Sequence, residues 1–240
     1  MKNTKIMILL LSGCLSTMSI QAQSPTEAQK KAMMDAMKMS RNKGDVSDVP
    51  SHYAFSWKYN MHMTAASGKA VDFQYYLQPN ASYYGARMDQ GGTDMFMIMD
   101  TKTKTTVTSF NKKGQKMAMV NKMPDYSDTK MKNDKYTYKK LPNKVILGYN
   151  CKGIQATNSA STIVFYYTND AKVSFTELFK SQQGKGLPDA FKDIFKPGEK
   201  PLLLSMDYTD LKDKSKSMKM HCTSLKKEAY TFNKSEYQFM

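Results

Sequence analysis

From residue 51 onward, apolar and polar residues alternate. Tyr53, Phe55, Trp57, Tyr59, Met61 and Met63 are interleaved with Ala54, Ser56, Lys58, Asn60, His62 and Thr64. A period of two puts like residues on one face of an extended chain, so this stretch predicts a long strand with one buried face. Ser67-Gly68-Lys69 reads as a turn. Val71, Phe73, Tyr75 and Leu77 then alternate with Asp72, Gln74, Tyr76 and Gln78, which predicts a second strand. Further strands are predicted over 82–88, 93–99, 104–110 and 115–120. The punctuation between them is Pro79-Asn80, Gly91-Gly92, Asp100-Thr101-Lys102 and Lys112-Lys113-Gly114. Strands of similar length, with turn signals roughly every 8–12 residues, indicate an antiparallel, strongly curved meander. Strands are expected again over 144–157, 161–168, 201–209 and 216–224, with a tail after the last.

Upstream the period lengthens to 3.6. Ala28, Ala32, Met33, Ala36 and Met37 form a stripe, Ser24 and Thr26 offer caps, Pro25 suits a first turn, and Gly44 stops the pattern. A helix over 24–43 is the expectation. Shorter helices are expected over 174–181 and 188–195. The fold class expected is therefore α+β: a curved antiparallel sheet with an N-terminal helix and short helices in the C-terminal half.

The first 22 residues read as a targeting segment. Lys2 and Lys5 precede an apolar run from Ile6 to Leu11, and Gln21-Ala22-Gln23 is a small-residue junction. Leu11-Ser12-Gly13-Cys14 offers a second reading, a lipobox that would anchor the chain through Cys14 as an outer-membrane lipoprotein. The expected location is the periplasm or the exterior. The organisation expected is a signal peptide over 1–22, a helix and linker over 23–50, and an antiparallel domain over 51–240 with a lysine-rich insertion at 121–142.

Composition narrows the chemistry. The 240 residues carry a formal net charge of +15, 40% apolar residues and 24% charged residues, a globular composition. Lysines crowd 130–144 and 212–227. Without stacking aromatics beside arginines, nucleic acid is not the partner indicated; an anionic membrane surface is. Three histidines and three cysteines leave little for a zinc cluster. No nucleophile elbow, HExxH or phosphate loop appears, so no enzyme activity and no cofactor are expected. Either processing route leaves Cys151 and Cys222, an even pair in an oxidising compartment, and a disulfide between them is expected.

Two binding chemistries are open. Phe55, Trp57, Tyr59, Phe73 and Tyr75 share strand parity and could line a face for a hydrophobic or lipid-like ligand. The alternative lies in the 21 methionines, many spaced Met-x-Met. Residues i and i+2 of a strand present two thioethers on one face, and thioethers suit Cu(I). Met95, Met97, Met117, Met119, Met218 and Met220, with His221, are the candidate ligands. His62 falls on the face opposite Met61 and Met63. A structural or interaction module without ligand is the third class.

Several short motifs together resemble a family of secreted Gram-negative envelope proteins, domain of unknown function 4412. They are Tyr83-Tyr84-Gly85, Met97-Ile98-Met99-Asp100 with Thr101-Lys102-Thr103, Gly114-Gln115-Lys116-Met117-Ala118-Met119, and Ile146-Leu147-Gly148-Tyr149-Asn150-Cys151-Lys152-Gly153. That family looks like a relative of the periplasmic lipoprotein carriers LolA and LolB. The resemblance implies a half-open antiparallel barrel lidded by helices over an apolar cavity. It implies non-catalytic binding of a lipid or a lipidated protein in the cell envelope.

Overall fold

The computed structural model describes residues 43–90, 93–112, 114–123, 135–174, 194–195 and 198–240. Twelve strands run through them: β1 (His52–Ala65), β2 (Ala70–Leu77), β3 (Tyr83–Gln90), β4 (Thr93–Asp100), β5 (Thr105–Lys112), β6 (Gln115–Lys122), β7 (Thr137–Ile146), β8 (Tyr149–Thr157), β9 (Ser161–Thr168), β10 (Leu202–Asp210), β11 (Met218–Asn233) and β12 (Gln238–Phe239). All belong to one open sheet in the order β12-β6-β5-β4-β3-β2-β1-β11-β10-β9-β8-β7. Neighbours are antiparallel except the two-residue β12, which lies parallel to β6.

The α+β expectation is corrected. The described residues hold three single-turn 3-10 segments and no α-helix. Alternation with a period of two governs nearly all of them, so they satisfy their backbone groups through a ladder rather than within helices. The helix expected over 24–43 and those expected over 174–181 and 188–195 fall outside the described residues almost entirely.

The meander from β1 to β6 follows the predicted strands within a few residues. Further on, the stretch 144–157 is a hairpin rather than one strand. Leu147 and Gly148 both adopt positive φ, 50° and 82°, which makes the two-residue turn between Ile146 and Tyr149. The partner so created, β7, reaches back to Thr137 and includes Pro142 beside a register shift between Leu141 and Lys144. Proline and lysines are tolerated there because β7 is an edge strand. The last long strand also exceeds expectation. Its charged middle, Lys226-Lys227-Glu228, reads as a tail, yet β11 continues through it to Asn233 because β1 is long enough to pair along its whole length.

The core that sets the site lies where β1 and β11 meet the β3–β6 half of the sheet. Tyr53, Phe55, Tyr76, Phe96, Ile98, Val107, Ala118, Val120 and Phe232 are buried together, with Tyr83, Tyr230 and Tyr237 packed against them. The rings meet edge to face: Phe55 with Phe96 at 5.8 Å, Phe55 with Tyr83 at 5.5 Å, and Phe96 with Tyr230 at 4.7 Å between centroids. Burying each such ring contributes about 1.5–3 kcal/mol. Gly85 leaves room for them, since a Cβ there would stand 2.4 Å from the Phe96 Cζ. At the strand ends Asp100 is buried, accepting hydrogen bonds from the Tyr53 hydroxyl (3.3 Å), the Ser82 hydroxyl (3.0 Å) and the Lys102 amide (2.9 Å). It fixes the turn between β4 and β5.

Candidate functional site

The ladder between β1 and β11 is interrupted between Phe55 and Trp57, where two residues of β11, Glu228 and Ala229, oppose Ser56 of β1. Such a bulge bends the strand and re-aims the side chains beside it. Trp57 pairs with Lys227 on one side and with Leu77 of β2 on the other. Its indole is half-buried. Beside it opens a cleft of about 680 Å³ lined by Ser56, Trp57, Pro79, Lys172, Lys227, Glu228 and Ala229. The apolar wall is Trp57, Pro79 and Ala229, and the charged rim is Lys172 and Lys227.

Glu228 is already engaged: the Lys58 ammonium donates to it at 3.1 Å. Burial works most strongly against the Lys58 charge, but Glu228 and Tyr76 together outweigh it and its pKa is raised. The one carboxylate of the lining is thus neutralised from behind, which leaves two exposed lysines to set the sign of the rim. The cleft thus combines an apolar wall with a basic rim.

The five aromatic residues expected on one face are divided by the structure. Tyr59, Phe73 and Tyr75 stay together: Tyr59 and Tyr75 are 5.9 Å apart and Phe73 and Tyr75 are 6.2 Å apart, all buried. The Tyr59 hydroxyl donates to the Leu203 carbonyl at 2.5 Å, and burial raises its pKa well above the ordinary value. Phe55 goes instead into the cluster with Phe96, Tyr83 and Tyr230. Of the five, only Trp57 lines the cleft.

The thioethers are also divided. Met95 and Met97 on β4 face the same way as Met117 and Met119 on β6, but β5 runs between, placing Phe110 in one row and Thr108 in the other. Two strand spacings are roughly 9–10 Å. Met218 and Met220 are buried on β11, beyond β3, β2 and β1. His221, between buried Met220 and Cys222, is exposed on the opposite face. The structure therefore does not gather the Cu(I) candidates at one point.

Cys151 and Cys222 are buried free thiols, and β10 and β9 lie between their strands. Both thiols are free in this structure, so the bond expected from parity is not formed here. Burial pushes the Cys222 thiol up to about 12 and raises Cys151 as well.

Sequence reasoning missed Arg87. Its guanidinium lies over the rings of Tyr230 (5.3 Å), Tyr76 (5.6 Å) and Phe96 (5.8 Å). It is half-buried among three aromatics and 3.4 Å from the Asp94 carboxylate. The signal available in sequence was only its register: Arg87 stands opposite Phe96 on the face of Tyr76 and Gly85, which needs the pairing to be known.

The model of the family described as "Domain of unknown function (DUF4412)" matches residues 55–199. The chain belongs to this family. The resemblance carried by the short motifs is borne out. No curated protein matches the chain. Among solved structures it is similar to PNGF-II, with 15% identity, a TM-score of 0.39, and coverage of 77% of this chain and 30% of that one. It is similar to the MucA/MucB complex of Pseudomonas aeruginosa (7% identity, TM-score 0.35, 72% and 51% covered). It is also similar to a LolA superfamily protein from Nitrosomonas europaea (7% identity, TM-score 0.27, 74% and 87% covered). The chain spans about 30% of the length of PNGF-II and about half of the MucB-type chain. These likenesses say nothing of activity.

Proposed function

We propose that this member of the family is an exported, non-catalytic binding protein for a lipid-like ligand of the cell envelope, free or attached to a protein. The observation that carries the reading is the Trp57 cleft. An apolar wall next to two exposed lysines suits an acyl chain ending in a carboxylate or phosphate, and the adjoining Lys58–Glu228 pair keeps the site from repelling that head. The excess of positive charge, +15 over the chain, favours approach to an anionic membrane surface.

Trp57 is the only tryptophan, so its emission reports on the cleft alone. A nitroxide-labelled fatty acid should quench it saturably in the folded, delipidated protein. Trp57→Phe should remove the signal while displacement of a second acyl probe still shows binding. Lys172→Glu and Lys227→Glu should each weaken binding roughly two- to fivefold, the effect of exposed ion pairs worth about 0.4–1 kcal/mol. Absence of saturable quenching would reject the reading.

A further inference from the structure

On the face of the sheet away from the buried methionines, four consecutive strands place polar residues in one row. Asp72 of β2 pairs with His62 of β1, His62 with His221 of β11, and His221 with Ser205 of β10. Their neighbours along the strands, Met61, Met63, Met220 and Cys222, are buried on the other face. The two imidazoles are thus held side by side on a rigid, outward-facing stretch of ladder, with centroids 5.2 Å apart and planes inclined by 51°.

That spacing has a chemical meaning. A metal–nitrogen bond is about 2.0–2.1 Å, so a tetrahedral metal shared by two histidines holds their ring centroids roughly 5 Å apart. The rings are tilted rather than stacked, so each nitrogen edge stays open to the solvent side of the sheet. The carboxylate of Asp72 lies 2.7 Å from Nδ1 of His62. A carboxylate accepting from Nδ1–H fixes the tautomer and leaves the Nε2 lone pair for a metal, the carboxylate–histidine arrangement that orients metal ligands. Two features therefore agree: the cross-strand pairing that sets the ring separation, and the carboxylate partner on Nδ1.

We propose that His62 and His221 form a two-histidine site for a borderline divalent transition metal, Zn²⁺ or Cu²⁺, with Asp72 as the positioning residue of His62. Among the described residues no group of three His, Cys, Asp or Glu side chains is assembled for a metal. With two protein ligands, water or ligands from outside the chain complete the shell. The site is separate from the Trp57 cleft and from the thioethers. Imidazole rather than sulfur supplies its donors, so its preference is for Zn²⁺ and Cu²⁺ over Cu(I).

Calorimetry of the full chain with Zn²⁺ alone should give one ion bound. His62→Gln and His221→Gln keep a polar side chain on an exposed face, so the sheet is retained; each should lower affinity at least tenfold. Asp72→Asn should lower it about 10–100-fold, the usual effect of removing a carboxylate partner of a ligating histidine. His52→Gln, the third histidine of the chain, should leave binding unchanged. The Cu²⁺ complex should show hyperfine coupling to two nitrogens by electron paramagnetic resonance. Unchanged affinity in either His62→Gln or His221→Gln would overturn the proposal. So would loss of binding in His52→Gln, coupling to fewer than two nitrogens, or no binding by the unmodified protein in the submillimolar range.

Discussion

Replacing Gly85 with alanine sets two effects against each other. A glycine inside a strand costs about 0.5–1 kcal/mol relative to alanine through backbone entropy, so on local grounds Gly85→Ala should stabilise β3. The packing says the reverse. The added Cβ would lie 2.4 Å from Cζ and 3.0 Å from Cε2 of Phe96, and 3.3 Å from Cζ of Phe55. The Phe96 ring has little freedom to retreat, because Phe55 (5.8 Å), Tyr76 (5.3 Å) and Tyr230 (4.7 Å) meet it edge to face. Forcing one extra carbon into such a core costs about 1–3 kcal/mol. With the Phe96 ring hemmed in, the upper part of that range applies, about 2–3 kcal/mol, and subtracting the entropic gain leaves a net loss of about 1–2.5 kcal/mol. With a urea slope of about 2 kcal/mol per molar, the unfolding midpoint should fall by roughly 0.5–1.25 M. Phe96→Leu should relieve the clash, so adding Gly85→Ala in that background should cost at least ~0.5 kcal/mol less than in the unmodified protein. A midpoint for Gly85→Ala equal to or above that of the unmodified protein would refute the claim that ring packing, not backbone conformation, requires glycine here.

Tyr59→Phe removes a donor and leaves the buried Leu203 carbonyl without it; stability should drop by about 1–3 kcal/mol, read by thermal or urea unfolding, and no drop would show that the bond carries no weight. The thiols of Cys151 and Cys222 should resist an aqueous alkylating reagent at pH 8 in the folded protein and both react after denaturation, since both are buried and Cys222 is raised to about 12; rapid labelling of folded protein, or fewer than two labels after denaturation, contradicts this. Asp213 is held down to about 2, first by its hydrogen bond with Lys216 and then by Ser215. A lowered carboxyl contributes stability above its ordinary 3.8 that is lost as pH falls through about 2, so carbon-13 NMR should show Asp213 still ionised at pH 3, and a midpoint near 3.8 would dismiss the pairing. Arg87→Lys should destabilise by about 1 kcal/mol although charge is conserved, because an ammonium cannot lie flat against the Tyr76, Phe96 and Tyr230 rings; equal stability in urea would show that charge alone matters.

Alternation alone determined the strand pattern of this chain. Tyr53 to Met63 and Val71 to Leu77 repeat with a period of two over enough residues that no helix could bury the same set, and β1, β2 and the meander to β6 lie where that period put them. Local chemistry also marked Ser67-Gly68-Lys69 and Asp100-Thr101-Lys102 as turns. Three matters were decided only by tertiary structure. The first is the extent of β7 and β11, whose lysine-rich stretches look like loops and become strands because neighbours offer unpaired edges, a property of partners distant in sequence. The second is facing: Phe55 and Tyr59 have the same parity, but the irregular ladder beside Trp57 sends one into the aromatic cluster and the other against Tyr75. The third is juxtaposition. Trp57 with Lys172 and Lys227, Arg87 over three rings, and His62 beside His221 each combine residues from strands or loops far apart in the chain. Pairing register fixes which side chains meet, and register is set by the whole sheet burying its apolar face, which no single segment encodes.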